Sequence, residues 1–243
     1  MSHFLLLIFA LFPSIIWLLF FLRKDAHPES NQEIIKIFFY GILAALPAVL
    51  IETGIFEEFH KFLLFLSPRF DFSVFLPVLS SAILLALVEE VLKYLVVREK
   101  VLNNPEFDEP TDVMLYMIIA ALGFAAFENV LVLFPLGSTF LIKGALTLSA
   151  LRFIGATFLH ALCSGLVGYF LALSFFETKK RTKLIFLGLG IAILLHALYN
   201  FSIITLEGNT RFIIPVIILI SLTLAISLGF KKLKGMASVC EIK

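Results

Sequence analysis

Charge is scarce in this sequence: 15% of its 243 residues are Asp, Glu, Lys or Arg, where a soluble domain carries about 25%. Cysteine is scarcer still. Cys163 sits inside an apolar run and Cys240 in the tail, which excludes a disulfide scaffold and a cysteine-based zinc site. Neither sign of charge dominates, the net value being +1, so no basic field awaits a nucleic acid and none is expected as a partner. Internal repeats and low-complexity tracts are missing too. What is abundant is apolar: 60% hydrophobic residues, 28 Phe and a mean hydropathy of +1.05. These values exclude a water-soluble fold and a disordered chain. They predict an all-α, polytopic transmembrane helical bundle in which residues 1–243 form one membrane-embedded domain.

A hydrocarbon core about 30 Å thick requires roughly 20 apolar residues per helix. Seven stretches meet or approach that length: Phe4–Leu22, Ile34–Ile51, Val74–Val97, Val113–Phe134, Phe153–Phe176, Leu184–Leu206 and Phe212–Phe230. The first reads as a retained span, because Met1-Ser2-His3 is not a positive leader and no small-residue cleavage site follows. With the N-terminus outside, thirteen of the 19 Lys and Arg fall on inner segments and four on outer ones. That bias predicts an outside N-terminus and an inside C-terminus in the cell membrane. Asn103-Asn104-Pro105 and Glu207-Gly208-Asn209 read as turns. Two segments fit the pattern less well. Glu52–Ser73 mixes Phe and Leu with Glu57, Glu58, His60 and Lys61, as an interfacial helix on the outer surface would. Ser138–Leu151 is apolar apart from Lys143 and reads as re-entrant or interfacial.

The informative residues are the polar ones inside the spans. Spans three to six carry Glu89, Glu90 and Lys93, then Glu128, then His160, then His196. An ionised side chain at the bilayer centre costs roughly 2.5–3.5 kcal/mol on insertion scales, so four consecutive helices bearing such groups predict one wet pocket in which they satisfy each other. Lys93 lies four residues after Glu89 and three after Glu90, in reach of both. His196 and Asn200 are one turn apart on a common face, and Glu128-Asn129 and His160 with Ser164 give spans four and five a polar patch each. Counted from Pro77, Glu89 is about 18 Å into its span at 1.5 Å per residue. Arg152 and Lys143 read as interfacial snorkelling residues. Ser149, Cys163 and Ser164 read as small packing residues rather than nucleophiles.

Glu89-Glu90-Val91-Leu92-Lys93 resembles the EExxK signature of PrsW-type intramembrane proteases. Gly123-Phe124-Ala125-Ala126-Phe127-Glu128-Asn129, His160-Ala161 and His196-Ala197-Leu198-Tyr199-Asn200 look like the later motifs of that family, in the same order on successive spans. The superfamily also holds type II CAAX prenyl endopeptidases and bacteriocin-immunity membrane proteins, which usually show EExxxR and a Phe-x-x-x-His. Here the basic residue comes one position earlier, and Ala156 stands four residues before His160. Both departures favour the PrsW branch.

The resemblance implies a peptide hydrolase with its catalytic core in residues 74–206. Its expected substrate is a single-span membrane protein such as an anti-sigma factor, cut within the lipid bilayer. Hydrolysis there needs a held water, a base and donors for an oxyanion. Two chemistries supply them. Without a metal, Glu89 or Glu90 acts as base with His160, while His196 and Asn200 hold the oxyanion. With zinc, His160, His196 and either Glu90 or Glu128 hold the ion and another Glu is the base. Glu128 stands either as a direct participant or as a structural acid, and Lys93 and Asn129 as supporting residues. The missing His-Glu-x-x-His spacing inclines the expectation to the metal-free form, although the family is described as metalloproteases. Two competing functions use similar residues: an ion- or proton-coupled transporter, and a catalytically silent immunity-type protein.

Overall fold

In the computed structural model, residues 3–24, 29–66, 75–101, 109–136 and 142–236 are described. Every regular element among them is helical: α1 (His3–Leu22), α2 (Asn31–Leu66), α3 (Phe75–Lys100), α4 (Pro110–Leu133), α5 (Ile142–Ile154), α6 (Ala156–Phe176), α7 (Arg181–Thr205) and α8 (Thr210–Leu233). Six segments are long and apolar enough to cross a membrane, with α5 and α6 counted as one. The seventh expected crossing is α3, whose 26 residues span about 39 Å. It falls short of the others in apolarity because Glu89, Glu90 and Lys93 stand in its middle. Pro13, Pro47 and Pro215 lie inside α1, α2 and α8 without ending them. Bilayer helices tolerate this because neighbouring groups re-satisfy the freed carbonyls.

One irregular segment differs from expectation, and of the other, residues 138–141 lie outside the described set. Glu52–Leu66 is not a separate interfacial helix but the uninterrupted continuation of α2. Composition changes there, yet no proline or polar turn intervenes to break the ladder; residues 67–73 lie outside the described set, as does the turn at Asn103-Asn104-Pro105. The second segment, from Ile142 onward, is α5, joined to α6 through the single residue Gly155. Hydrogen bonding runs through the joint, from Gly155 N–H to Leu151 O (3.0 Å) and from Leu159 N–H to Gly155 O (2.8 Å).

Helices α4, α6, α7, α3 and α2 pack in that order around a ring that closes from α2 back to α4, while α1 and α8 flank it. The start of α4 is pinned locally: Pro110 opens it, and the Glu109 N–H donates to Asp112 Oδ2 (2.7 Å). Small residues set the tightest crossing. A Cβ on Gly41 would collide with the Ala120 carbonyl, and one on Gly123 with the Phe38 carbonyl. α2 and α4 therefore meet backbone to backbone, which is how helices associate where lipid offers no hydrophobic incentive.

Candidate active site

Helical spacing places Glu89 and Glu90 so that both reach Lys93 one turn later on α3, and the ring packing brings α4, α6 and α7 to that turn. The Lys93 ammonium, fully buried, donates to Glu89 Oε2 (3.3 Å), Glu90 Oε1 (2.9 Å) and His160 Nδ1 (2.6 Å). Those three bonds use all its donors, and the Phe124 ring lies 4.5 Å from the nitrogen. Leaving either carboxylate unpaired here would cost about 3–5 kcal/mol.

The partners assign the imidazole protons. Lysine only donates, so His160 Nδ1 accepts and Nε2 carries the proton, donated to Glu128 Oε2 at 2.8 Å. A carboxylate only accepts, so His196 Nδ1 is the protonated nitrogen, donating to Glu90 Oε1 at 2.9 Å. His160 Nδ1, whose lone pair Lys93 engages, and the unprotonated His196 Nε2 lie 3.6 and 3.7 Å from one atom, Glu89 Oε2. The rings stand at 90° to each other, centroids 4.9 Å apart.

The adjacent glutamates are thus unlike. Glu90 is inaccessible, and its oxygens receive Lys93, His196 and the Ser164 hydroxyl (3.0 Å). Among the described residues Glu89 receives a hydrogen bond only at Oε2, from Lys93, and it keeps slight exposure, 6%.

A further layer holds Glu128. Arg152 donates through Nη2 to Glu128 Oε2 (3.4 Å) and through Nε to Asn129 Oδ1, and the Asn129 amide donates to Thr157 Oγ1 (3.1 Å). Arg152 is therefore not a snorkelling residue. It closes over the end of α4 because Glu128 and Asn129 offer it a carboxylate and a carbonyl inside the protein. Ser164, read as packing, bonds Glu90. Thr157 gave no signal in the sequence, and Arg152 gave one only as a cation at the edge of a span. Glu52 on α2 is another acid in the field of Glu89, Glu128, Lys93 and His196, with its Oε1 enclosed and without a hydrogen-bond partner among the described residues. Asn200 is half-buried one turn beyond His196, and no hydrogen bond among the described residues ties its side chain to the cluster.

The site can hold a metal. Glu89, Glu90, His160 and His196 are all buried, and each offers a ligand atom within 4.8 Å of the others. This oxygen and nitrogen donor set suits a transition-metal cation, and the two carboxylates outnumber the single ammonium among them. The ligands come from three helices, which is why no compact His-Glu-x-x-His motif announces them. Glu128 stands outside the set, behind the far nitrogen of His160.

A family model described as PrsW family intramembrane metalloprotease matches residues 29–226. The chain is 28% identical over 208 residues to Protease PrsW of Oceanobacillus iheyensis, covering 86% of this chain and 87% of that one. It is 28% identical over 205 residues to Protease PrsW of Bacillus subtilis strain 168, covering 84% of each. Over 225 residues it is 27% identical to Protease PrsW of Clostridioides difficile strain 630, covering 89% and 86%. No solved structure matches it.

Proposed function

From the premise that this chain belongs to the PrsW family of intramembrane metalloproteases, we propose that it hydrolyses a peptide bond in a single-span membrane protein, of the anti-sigma-factor kind, at a zinc site centred on Glu89. The observation that carries this is the approach of His160 Nδ1 and His196 Nε2 to within 3.7 Å of Glu89 Oε2, each imidazole backed by a carboxylate on its other nitrogen; a zinc held there would take the place of Lys93 on His160 Nδ1. Such carboxylate–histidine pairs are the usual second shell of a zinc ligand.

His160, His196 and Glu89 would hold the zinc, with Glu90 and Glu128 as the outer partners of the two imidazoles. This differs from the sequence expectation, which made Glu90 or Glu128 the third ligand. It also reverses the inclination to a metal-free mechanism. Zinc would supply Lewis-acid polarisation and a bound water ionisable near neutral pH.

The remaining work falls to side chains. In that arrangement Glu89 Oε1, engaged by no hydrogen bond among the described residues, is the carboxylate oxygen left to accept the proton that water loses and return it to the leaving amine. Lys93 and Glu90 hold Glu89 and His196 in place. The Asn200 amide, not committed to the cluster, serves the oxyanion. Because the groups are enclosed among α3, α4, α6 and α7, bulk water is kept from the reacting bond.

The test is elemental analysis of purified protein alongside cleavage of a single-span reporter in liposomes. About one zinc per chain, lost with activity on chelation and restored with it, is the expected result. Full activity at substoichiometric metal returns the reaction to an unaided glutamate. Full activity of Glu89→Gln removes the proposed site.

A further inference from the structure

On the far side of α6 from the site, α1 leans chiefly on α4 and α5 and α8 on α6 and α7, rather than on each other. The space between them is a groove of about 480 Å³. Its walls are Trp17 and Phe20 from α1, Phe158 from α6, and Ile226 and Phe230 from α8, and Lys24 stands at one end. The wall is rigid: Trp17 stacks on Phe158 with centroids 4.0 Å apart, and its Nε1–H donates to the Phe153 carbonyl at 2.8 Å. The Lys24 ammonium is held at the mouth, 5.0 Å from the centre of the Phe20 ring.

Size and charge choose the occupant. A transmembrane helix, 10 Å wide and 30 Å long, fills roughly 2,400 Å³, several times the groove. A single acyl chain does not exceed it. Seven crossings put the C-terminal ends of α1 and α8 on the same face of the membrane, where Arg23 and Lys24 follow one helix and Lys231 and Lys232 end the other. Residues 3–24 and 210–236, the described parts of the two helices, contain no acidic residue. Basic pockets between transmembrane helices bind anionic head groups.

We propose that this groove binds an anionic phospholipid, with an acyl chain lying along Trp17, Phe158 and Ile226 and the phosphate of the head group at Lys24. The site is separate from the catalytic one. Phe158 and Leu162, which line it, stand two residues either side of His160 and so point about 200° away from it around α6.

The experiment uses the full chain, purified from vesicles of equal phosphatidylglycerol and phosphatidylcholine, with retained lipid identified by native mass spectrometry. The wild type is expected to retain phosphatidylglycerol preferentially. Lys24→Gln should cut that preference about fivefold, the worth of one basic residue at an anionic surface. Ser227→Trp, which fills the groove from an exposed position, should remove bound lipid of either head group. Cleavage of the single-span reporter by both variants verifies that they are folded. Equal retention of the two lipids by the wild type, unchanged selectivity in Lys24→Gln or undiminished lipid in Ser227→Trp would each overturn the proposal. A co-purifying transmembrane peptide in place of lipid would overturn it as well.

Discussion

α4 and α8 are both 24 residues long, and the membrane-spanning window of α8 is the more apolar, yet 72% of the window of α4 is buried inside the protein against 28% for α8. In water the more apolar helix would be the inner one. In a bilayer, lipid tails satisfy Leu and Ile as well as protein does, so apolar surface gives no reason to go inside. What draws α4 to the centre is Gly123, which lets α2 approach, and Glu128 and Asn129, which need partners. Between Phe212 and Phe230, α8 carries only aliphatic side chains and small hydroxyls besides Pro215 and Gly229. Burial here follows polarity and small size.

Substitutions at the two helices and their neighbours sharpen that contrast, beginning where the effect is largest. Lys93→Met should leave Glu89 and Glu90 without their shared ammonium and lower stability by about 3–5 kcal/mol, read from denaturant unfolding in detergent, with cleavage lost as well. Stability near the wild-type value would mean that the carboxylates are satisfied another way. Glu89→Gln keeps the shape of the site, and cleavage should fall by at least 10²–10⁴-fold with an unchanged unfolding midpoint. If Glu90→Gln instead loses only activity while Glu89→Gln unfolds, the roles assigned to the pair are reversed.

Arg152→Gln frees Glu128 from its guanidinium partner. Zinc affinity and cleavage should both drop about 10–100-fold, the usual cost of disturbing an outer partner of a metal ligand. A purely interfacial Arg152 would leave zinc affinity untouched. Gly123→Val drives a side chain at the Phe38 carbonyl and should destabilise the α2–α4 crossing by about 1–3 kcal/mol. The matching change on the outer helix, Leu224→Ala at a residue 61% exposed, should stay within about 0.5 kcal/mol. A larger loss at Leu224 would show that α8 packs against something other than lipid.

The candidate site was largely legible in the sequence as a set. Glu89, Glu90, Lys93, Glu128, His160 and His196 stood out because each is expensive in hydrocarbon, and that expense belongs to the residue itself. Their division of labour was not legible. Glu89 and Glu90 are neighbours that both reach Lys93, and only the arrival of Ser164 from α6 and His196 from α7 saturates one and not the other. Asn200 sits on the face that the spacing predicts, one turn from His196, but is not drawn into the hydrogen-bonded cluster.

By itself the sequence determined the helical class and the seven apolar segments, because hydropathy sums locally along a chain and bilayer thickness sets a length to compare it with. It also determined that charged groups in those segments must meet. The tertiary structure alone decided that α2 continues to Leu66, that α5 meets α6 at Gly155, and that Arg152 turns inward to Glu128. It alone decided that His160 Nδ1 and His196 Nε2 both approach Glu89. These outcomes depend on how far each helix is rotated about its axis and how closely it approaches its neighbours. Both are fixed by contacts between residues distant in the chain, such as Gly41 against Ala120 and Lys93 against His160.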